Sequence, residues 1–341
     1  MRRNRLVIRT LKLIACVLVL TLTASAQSLN GAGATFPNPI YQKWFSEYSA
    51  AHSGVQINYQ SLGSGAGIRQ VIAGTVDFGA SDGPMSDEQL GQCKVKVLHI
   101  PTVLGAVVPA YNIPGVNQEL KFTPELLAGI FMGKIGSWND PAIAKVNPGV
   151  EFPNMPIVVV HRSDGSGTTY IFTDYLSKVS PEWNSLVGKN TSVKWPVGLG
   201  GKGNEGVAGT IRQIEGSIGY VELIYAAQNK IPYGVVRNKS GNFVKASLES
   251  TTAAAAAAAG KMPADYRVSI TNPDGKDAYP IASFTWLLIP QKSKDASKGK
   301  VLHDFLEWML KNGQGETASL TYAPLPKEVV AKIQTTIKTI Q

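Results

Sequence analysis

The sequence predicts an α/β fold of two lobes, each a mostly parallel sheet flanked by helices, with a hinge between the lobes. Three observations carry that reading. Short β-branched or alternating strands are followed repeatedly by helices with apolar residues at helical spacing, the pattern of parallel sheets. At 341 residues the chain is longer than one hydrophobic core usually organises, so two lobes are expected. Turns rich in Gly, Ser and Thr recur between strand and helix, and in such sheets ligands collect where strand ends meet helix starts.

Residues 1–26 read as a secretory signal peptide. Arg2, Arg3, Arg5, Arg9 and Lys12 form its basic end, residues 13–22 its apolar core and Ala24-Ser25-Ala26 its cleavage site, so export and removal after Ala26 are expected. The apolar run is short for a membrane span and continues past Cys16, which argues against an anchor of either kind. Those five basic residues leave the rest of the chain with +4 of the formal net charge of +9. Its lysines and arginines are dispersed with no aromatic-interleaved stripe, so no nucleic-acid partner is expected and any preference for an anion must be local. Only Cys93 remains after the leader, which excludes an intrachain disulfide. His52, His99, His161 and His303 lack ligand-like spacing, so neither a metal nor a cofactor is expected.

In chain order, residues 30–37 form a glycine-rich lead into a helix with Ile40, Trp44, Phe45 and Tyr48 on its apolar face and Thr35 as its expected cap. Val55, Ile57 and Tyr59 alternate as a strand, and the Ser- and Gly-rich residues 61–67 lead to a helix carrying Ile68, Val71 and Ile72. A short strand over 76–81 ends in Asp82-Gly83-Pro84, and Ser86 caps a short helix. Residues 95–108 are strand-like, and Tyr111-Asn112-Ile113-Pro114-Gly115 marks the first crossing between lobes. Leu126, Leu127, Ile130 and Phe131 fit a helix, and Trp138-Asn139-Asp140-Pro141 opens another. The buried strand Ile157-Val158-Val159-Val160 feeds residues 161–169 into a helix with Tyr170, Ile171, Tyr175 and Leu176 at its core positions. Residues 194–206 are glycine-dense, 207–214 helical and 218–221 a strand. The seven alanines 253–259 have the propensity of an ordinary helix. A long apolar strand over 280–290 makes the return crossing, followed by a helix with Leu302, Phe305, Leu306 and Met309, and a last helix over 328–340. Lobe 1 is expected over 27–111 and 283–341, and lobe 2 over 112–282.

The stretch His161-Arg162-Ser163-Asp164-Gly165-Ser166-Gly167-Thr168-Thr169 has an anion-binding look: glycines that permit unusual backbone geometry, hydroxyls, unpaired helix-start amides and one guanidinium. Caps and turns use the same residue types, so this stretch alone does not specify a ligand. Two other patterns compete with it. Gly198-Leu199-Gly200-Gly201-Lys202-Gly203 satisfies a dinucleotide fingerprint with Glu222 downstream, but Trp195-Pro196 makes a poor strand end before it. Gly79-Ala80-Ser81-Asp82-Gly83 satisfies a nucleophile-elbow pattern, which makes an exported serine esterase or phosphatase using Ser81 the alternative function. Gly83-Pro84 interrupts the helix that such an elbow needs.

The remaining constellation is Thr35, Phe36, Ser64, Asp82, Arg162, Ser166, Gly167 and Thr168. Neutral donors with one guanidinium suit a tetrahedral oxyanion. A carboxylate beside an anion is repulsive unless it accepts a proton that the ligand carries. Phosphate carries one near neutral pH and sulfate does not, so Asp82 should select between them. Asp164 is expected to orient Arg162.

Several motifs in this order resemble the periplasmic phosphate-binding proteins of phosphate ABC transporters. They are Gly31-Ala32-Gly33-Ala34-Thr35-Phe36-Pro37, Val76-Asp77-Phe78-Gly79-Ala80-Ser81-Asp82, Gly133-Lys134-Ile135 with Trp138, Asp164-Gly165-Ser166-Gly167-Thr168, and residues 195–203. The resemblance implies a hinged, non-enzymatic, monomeric periplasmic protein of the type II substrate-binding fold. Such a protein closes over one inorganic phosphate and delivers it to a membrane permease driven by an ATPase. It also implies that the eight residues of the constellation contact phosphate, Phe36 and Gly167 through their backbone, with Asp164 as the arginine's partner. The loop Gly63-Ser64-Gly65-Ala66-Gly67 departs from the family's usual order around Ser64.

Overall fold

The computed structural model describes residues 27–260 and 262–341, so the expected leader lies outside the described residues. Among the described residues eleven strands are formed: β1 (Gln27–Gly33), β2 (Val55–Ser61), β3 (Phe78–Ser81), β4 (Val97–Asn112), β5 (Lys121–Phe122), β6 (Val158–Arg162), β7 (Leu199–Gly201), β8 (Ser217–Glu222), β9 (Val235–Arg237), β10 (Phe243–Val244) and β11 (Ala282–Pro290). Eight make one sheet in the order β2-β1-β3-β11-β4-β8-β6-β7, and β10-β9-β5 form a small second sheet. The β1–β2, β1–β3, β6–β8 and β6–β7 pairs are parallel, while β11 and β4 run antiparallel through the middle.

The strand β4 ties the two halves together. It is one unbroken element in which every residue but Asn112 is buried, as an apolar run covered on both faces requires. From Val97 to Ala106 it pairs with β11, and from Val107 to Asn112 with β8. The change of partner between Ala106 and Val107 is the seam between an N-terminal half, built on β1, β2, β3 and β11, and a C-terminal half, built on β6, β7 and β8.

Helices cover both halves. The helix Asn38–Ala51 buries Ile40, Tyr41, Trp44, Phe45 and Tyr48, the i, i+4 stripe read in the sequence, and Phe45 packs on Phe78 and Phe305 at centroid distances of 5.7 and 5.2 Å. Trp44 is fully buried and donates its indole N–H to Gly313 O at 2.9 Å, so truncating it to Ala would cost about 3–5 kcal/mol. In the C-terminal half, Phe172 stacks on Tyr220 at 4.5 Å beneath the helix Gly167–Val179. The alanine run lies in the helix Leu248–Ala259, opened by a reciprocal Ser247–Ser250 capping box.

Three local expectations change. The helix Asn38–Ala51 starts from Pro37 with no side-chain cap, because Pro37 and Pro39 need no amide partner, and Thr35 is left for another task. The glycine-dense segment contains β7, an edge strand paired on one side to β6. The dinucleotide pattern is also resolved: a Cβ at Gly201 would lie 2.7 Å from Val207 N, so that glycine lets strand and helix touch. Glu222 there caps the helix Leu223–Gln228 through its Oε2.

Candidate functional site

The ends of β1, β3 and β6 and the starts of three helices converge at the seam. The strand β6 delivers Arg162, whose side chain is 1% exposed. Asp164 grips one edge of the guanidinium, Oδ1 accepting from Nε at 2.8 Å and Oδ2 from Nη2 at 2.5 Å, while Gly203 N–H also donates to Oδ1 at 3.0 Å. Burial raises the Asp164 carboxyl, but the hydrogen bonds and charge of Arg162 outweigh it and hold the group below the usual carboxylate range. The other edge of the guanidinium, Nη1, is 3.3 Å from Thr168 Oγ1.

The helix Gly167–Val179 begins inside the protein, with Ser166 as its cap accepting from Thr169 N–H at 3.0 Å. Gly167 N–H, expected from the sequence to face a ligand, is donated to Ser64 Oγ at 3.0 Å in this conformation. Of the first three amides of that helix, this leaves the one on Thr168. Glycine at 167 answers to proximity rather than to a special backbone angle, since a Cβ there would lie 2.5 Å from Asp82 Cβ and from Ser64 Oγ. Across the same gap Gly65 N–H donates to Gly165 O at 2.9 Å, so the two halves meet backbone to backbone.

Proton accounting defines what the hydroxyls can do. A hydroxyl offers one donor and two acceptor positions. Ser64 Oγ accepts from Gly167 N–H and, at 3.2 Å, from Asp82 N–H. Thr35 Oγ1 accepts from Asn204 N–H at 3.2 Å and Asn204 Nδ2 at 2.8 Å. Thr168 Oγ1 accepts from Arg162 Nη1 and, at 3.1 Å, from Asn204 Nδ2. Each oxygen has both acceptor positions filled, so each hydroxyl proton is left to be donated. Together with Arg162, the site presents hydrogens and suits a ligand that accepts.

Asp82 is the exception. It is 1% exposed and its Oδ1 accepts from Thr285 Oγ1 at 2.8 Å. Burial pushes its carboxyl up to about 7, against the lowering influence of Thr285, Arg162 and Ser64. It is therefore able to take or give a proton near neutrality. Phe36, fully buried, accepts at its carbonyl from Tyr322 O–H at 2.6 Å, and its ring presses on Gly105 of β4.

The structure thus gathers all eight residues singled out in the sequence, with Asp164 behind the arginine. Asn204, Thr285 and Tyr225, which donates to Thr35 O at 2.6 Å, join them without having been foreseen. Asn204 had a local signal, since it stands at the start of the helix Gly203–Gln213 after a glycine-rich turn of the same kind. Ser81 does not behave as a nucleophile: its hydroxyl is fully buried and engages only the main chain of Gly83. His99, kept neutral by burial, accepts from Met85 N–H instead of reaching it. Among the described residues no group of three His, Cys, Asp or Glu side chains is placed to hold a metal ion.

Comparison with known proteins gives the chain's family and the likeness of its fold. Residues 21–312 match the model of a PBP superfamily domain. The chain is 49% identical over 319 residues to the phosphate-binding protein PstS of Pasteurella multocida, covering 93% of this chain and 92% of that one. It is 46% identical over 317 residues to the PstS of Haemophilus influenzae, covering 93% and 94%. Among solved structures, a high-affinity periplasmic phosphate-binding protein with bound phosphate superposes with a TM-score of 0.73 at 22% identity, covering 91% and 93% of the two chains. A phosphate-binding protein of Stenotrophomonas maltophilia gives 0.68 at 20% identity, covering 91% and 94%. At those identities the structural likeness speaks to the fold.

Proposed function

This chain belongs to the PBP superfamily and, within it, to the phosphate-binding proteins called PstS, and from that premise we propose how its own residues take up the ion. It is a substrate-binding protein of a phosphate ABC transporter, not an enzyme, and its ligand is inorganic phosphate. In our reading residues 27–106 with 282–341 and residues 107–281 act as lobes that close on the ion, the crossings lying where β4 changes partner and where β11 begins, a few residues before the bounds expected from the sequence. Thr35, Ser64 and Thr168 donate their hydroxyl protons to it. Arg162 supplies the balancing charge, held in place by Asp164, and the main chain at Phe36 and around Ser166-Gly167-Thr168 completes the cradle. The closed monomer then carries phosphate from the periplasm, its place after export, to the permease and ATPase of the transporter.

The observation that carries this reading is the pairing of hydroxyls obliged to donate with a single carboxyl able to accept. Phosphate offers several acceptor oxygens and one O–H, and Asp82 meets that O–H. Sulfate has nothing to offer the carboxylate. Calorimetric titration of phosphate-stripped protein at pH 8 tests this. Phosphate is expected to bind with sulfate unable to displace it, and equal affinity for the two would overturn the assignment of Asp82.

A further inference from the structure

Asn204 touches both halves of the molecule at the seam and has no place in the phosphate cradle just described. It is fully buried and sits at the first turn of the helix Gly203–Gln213. Its orientation is fixed by chemistry. The N–H of Glu222 lies 3.0 Å from one terminal atom of the Asn204 side chain, and an N–H can only donate, so that atom is the carbonyl oxygen. The other terminal atom is then the amide nitrogen. Its two hydrogens face two oxygens, Thr35 Oγ1 at 2.8 Å and Thr168 Oγ1 at 3.1 Å. The Asn204 backbone N–H adds a second bond to Thr35 Oγ1 at 3.2 Å.

Thr35 follows β1 in the N-terminal half, whereas Thr168 and Asn204 belong to the C-terminal half. One carboxamide therefore stitches the halves together and at the same time fills acceptor positions on two hydroxyls. An unconstrained threonine hydroxyl can rotate and offer a lone pair to its neighbour, which would turn an attractive contact with an anion into a repulsive one. With Asn204 in place, neither Thr35 nor Thr168 has that freedom.

We propose that Asn204 is a positioning residue for phosphate: a latch whose bonds to Thr35 are made only when the lobes meet, and which then forces the hydroxyl protons of Thr35 and Thr168 toward the ion. This deepens the phosphate-binding reading and rests on it. Because the latch forms after encounter, its loss acts on release. Because it works through two hydroxyls, its effect disappears when they are gone.

The test is stopped-flow measurement of phosphate association and release for the wild type, Asn204→Ala, Thr35→Val/Thr168→Val and the triple variant. Asn204→Ala is expected to speed release about tenfold or more while association changes less than about twofold, the loss expected for two hydrogen bonds. In the Thr35→Val/Thr168→Val background the same substitution is expected to change release by less than about twofold. The thermal midpoint of the phosphate-free protein is expected to fall somewhat, because Asn204 also accepts from Glu222 N–H within the C-terminal half, so the latch is read from release and not from the midpoint. Unchanged release in Asn204→Ala or an undiminished effect in the double-valine background would each overturn the latch. Failure of the wild type itself to bind phosphate would overturn the functional reading with it.

Discussion

The end of β3 and the loop after β6 each bring one aspartate to the site, and the two are held in opposite states. Asp164 has a guanidinium edge to itself and stays charged. Asp82 feels the same arginine but is enclosed, with the hydroxyls of Thr285 and Ser64 as its neutral partners, and is raised to about 7. The difference shows that proximity to Arg162 does not decide the charge of either group. Contact geometry and burial do, and they divide the work: one carboxylate aims the cation, while the other reads whether the ligand carries a proton.

The largest effect should come from removing the group both aspartates share. Arg162→Met leaves Asp164 with only the Gly203 N–H as partner and removes the guanidinium from the site, so phosphate affinity should fall roughly a thousandfold by calorimetry. A loss no greater than that of Asp164→Asn would reduce Arg162 to a scaffold.

Next is Asp82→Asn, which replaces a titrating group with a permanent donor. Sulfate should then compete at least about tenfold better at pH 8. In the wild type, Asp82 is protonated at pH 5 and can itself donate, so sulfate exclusion should weaken on acidification, whereas in Asp82→Asn it should be flat. Identical competition curves for both proteins from pH 5 to 8 would break the contrast between the aspartates. The same group has a stability signature. Its folded value is raised from 3.8 to about 7, so its contribution is present at low pH and is lost as pH rises through that window. The phosphate-free wild type should therefore lose thermal stability relative to Asp82→Asn between pH 4.5 and 7.5.

The smallest effect is expected for Asp164→Asn, which keeps a hydrogen-bond acceptor for Arg162 and loses only the charge, with phosphate affinity reduced about tenfold. Because this carboxyl is lowered, its contribution is present above the ordinary value and is lost as pH falls through the lowered one. Wild type and variant should converge in thermal stability as the pH falls below the ordinary carboxylate range and Asp164 takes up its proton, and a gap that did not narrow would mean that Asp164 acts by packing alone.

Much of this site could be read from the sequence because its chemistry is written locally. Arg162, Asp164 and Ser166 to Thr168 fall in one turn, and Asp82 ends a recognisable strand. The members that escaped notice are set by distance along the chain: Asn204 lies 169 positions from Thr35, and Thr285 lies 203 from Asp82. No local pattern announces such a pair. The glycines were noticed for the wrong reason. Conformational freedom was expected at Gly165 and Gly167, but neither has a positive φ, and what both supply is the absence of a Cβ where the halves meet. Thr35 looked like a cap because Ser and Thr before a helix usually are. The prolines beside it removed that need, and the hydroxyl went to Asn204.

The placement of β11 has a consequence for how the molecule comes into being. Strands β1 to β4 are synthesised in the first third of the chain, yet β3 and β4 do not pair, because β11 lies between them. Until synthesis passes Ala282 the N-terminal half has a sheet with its middle absent, and the helix Ala296–Lys311 that covers β1 comes later still. Such distant pairings fold slowly and late. A nascent chain of this protein therefore stays uncommitted almost to its last residues, and one cut short before Ala282 would lose the heart of its first half, not merely its tail.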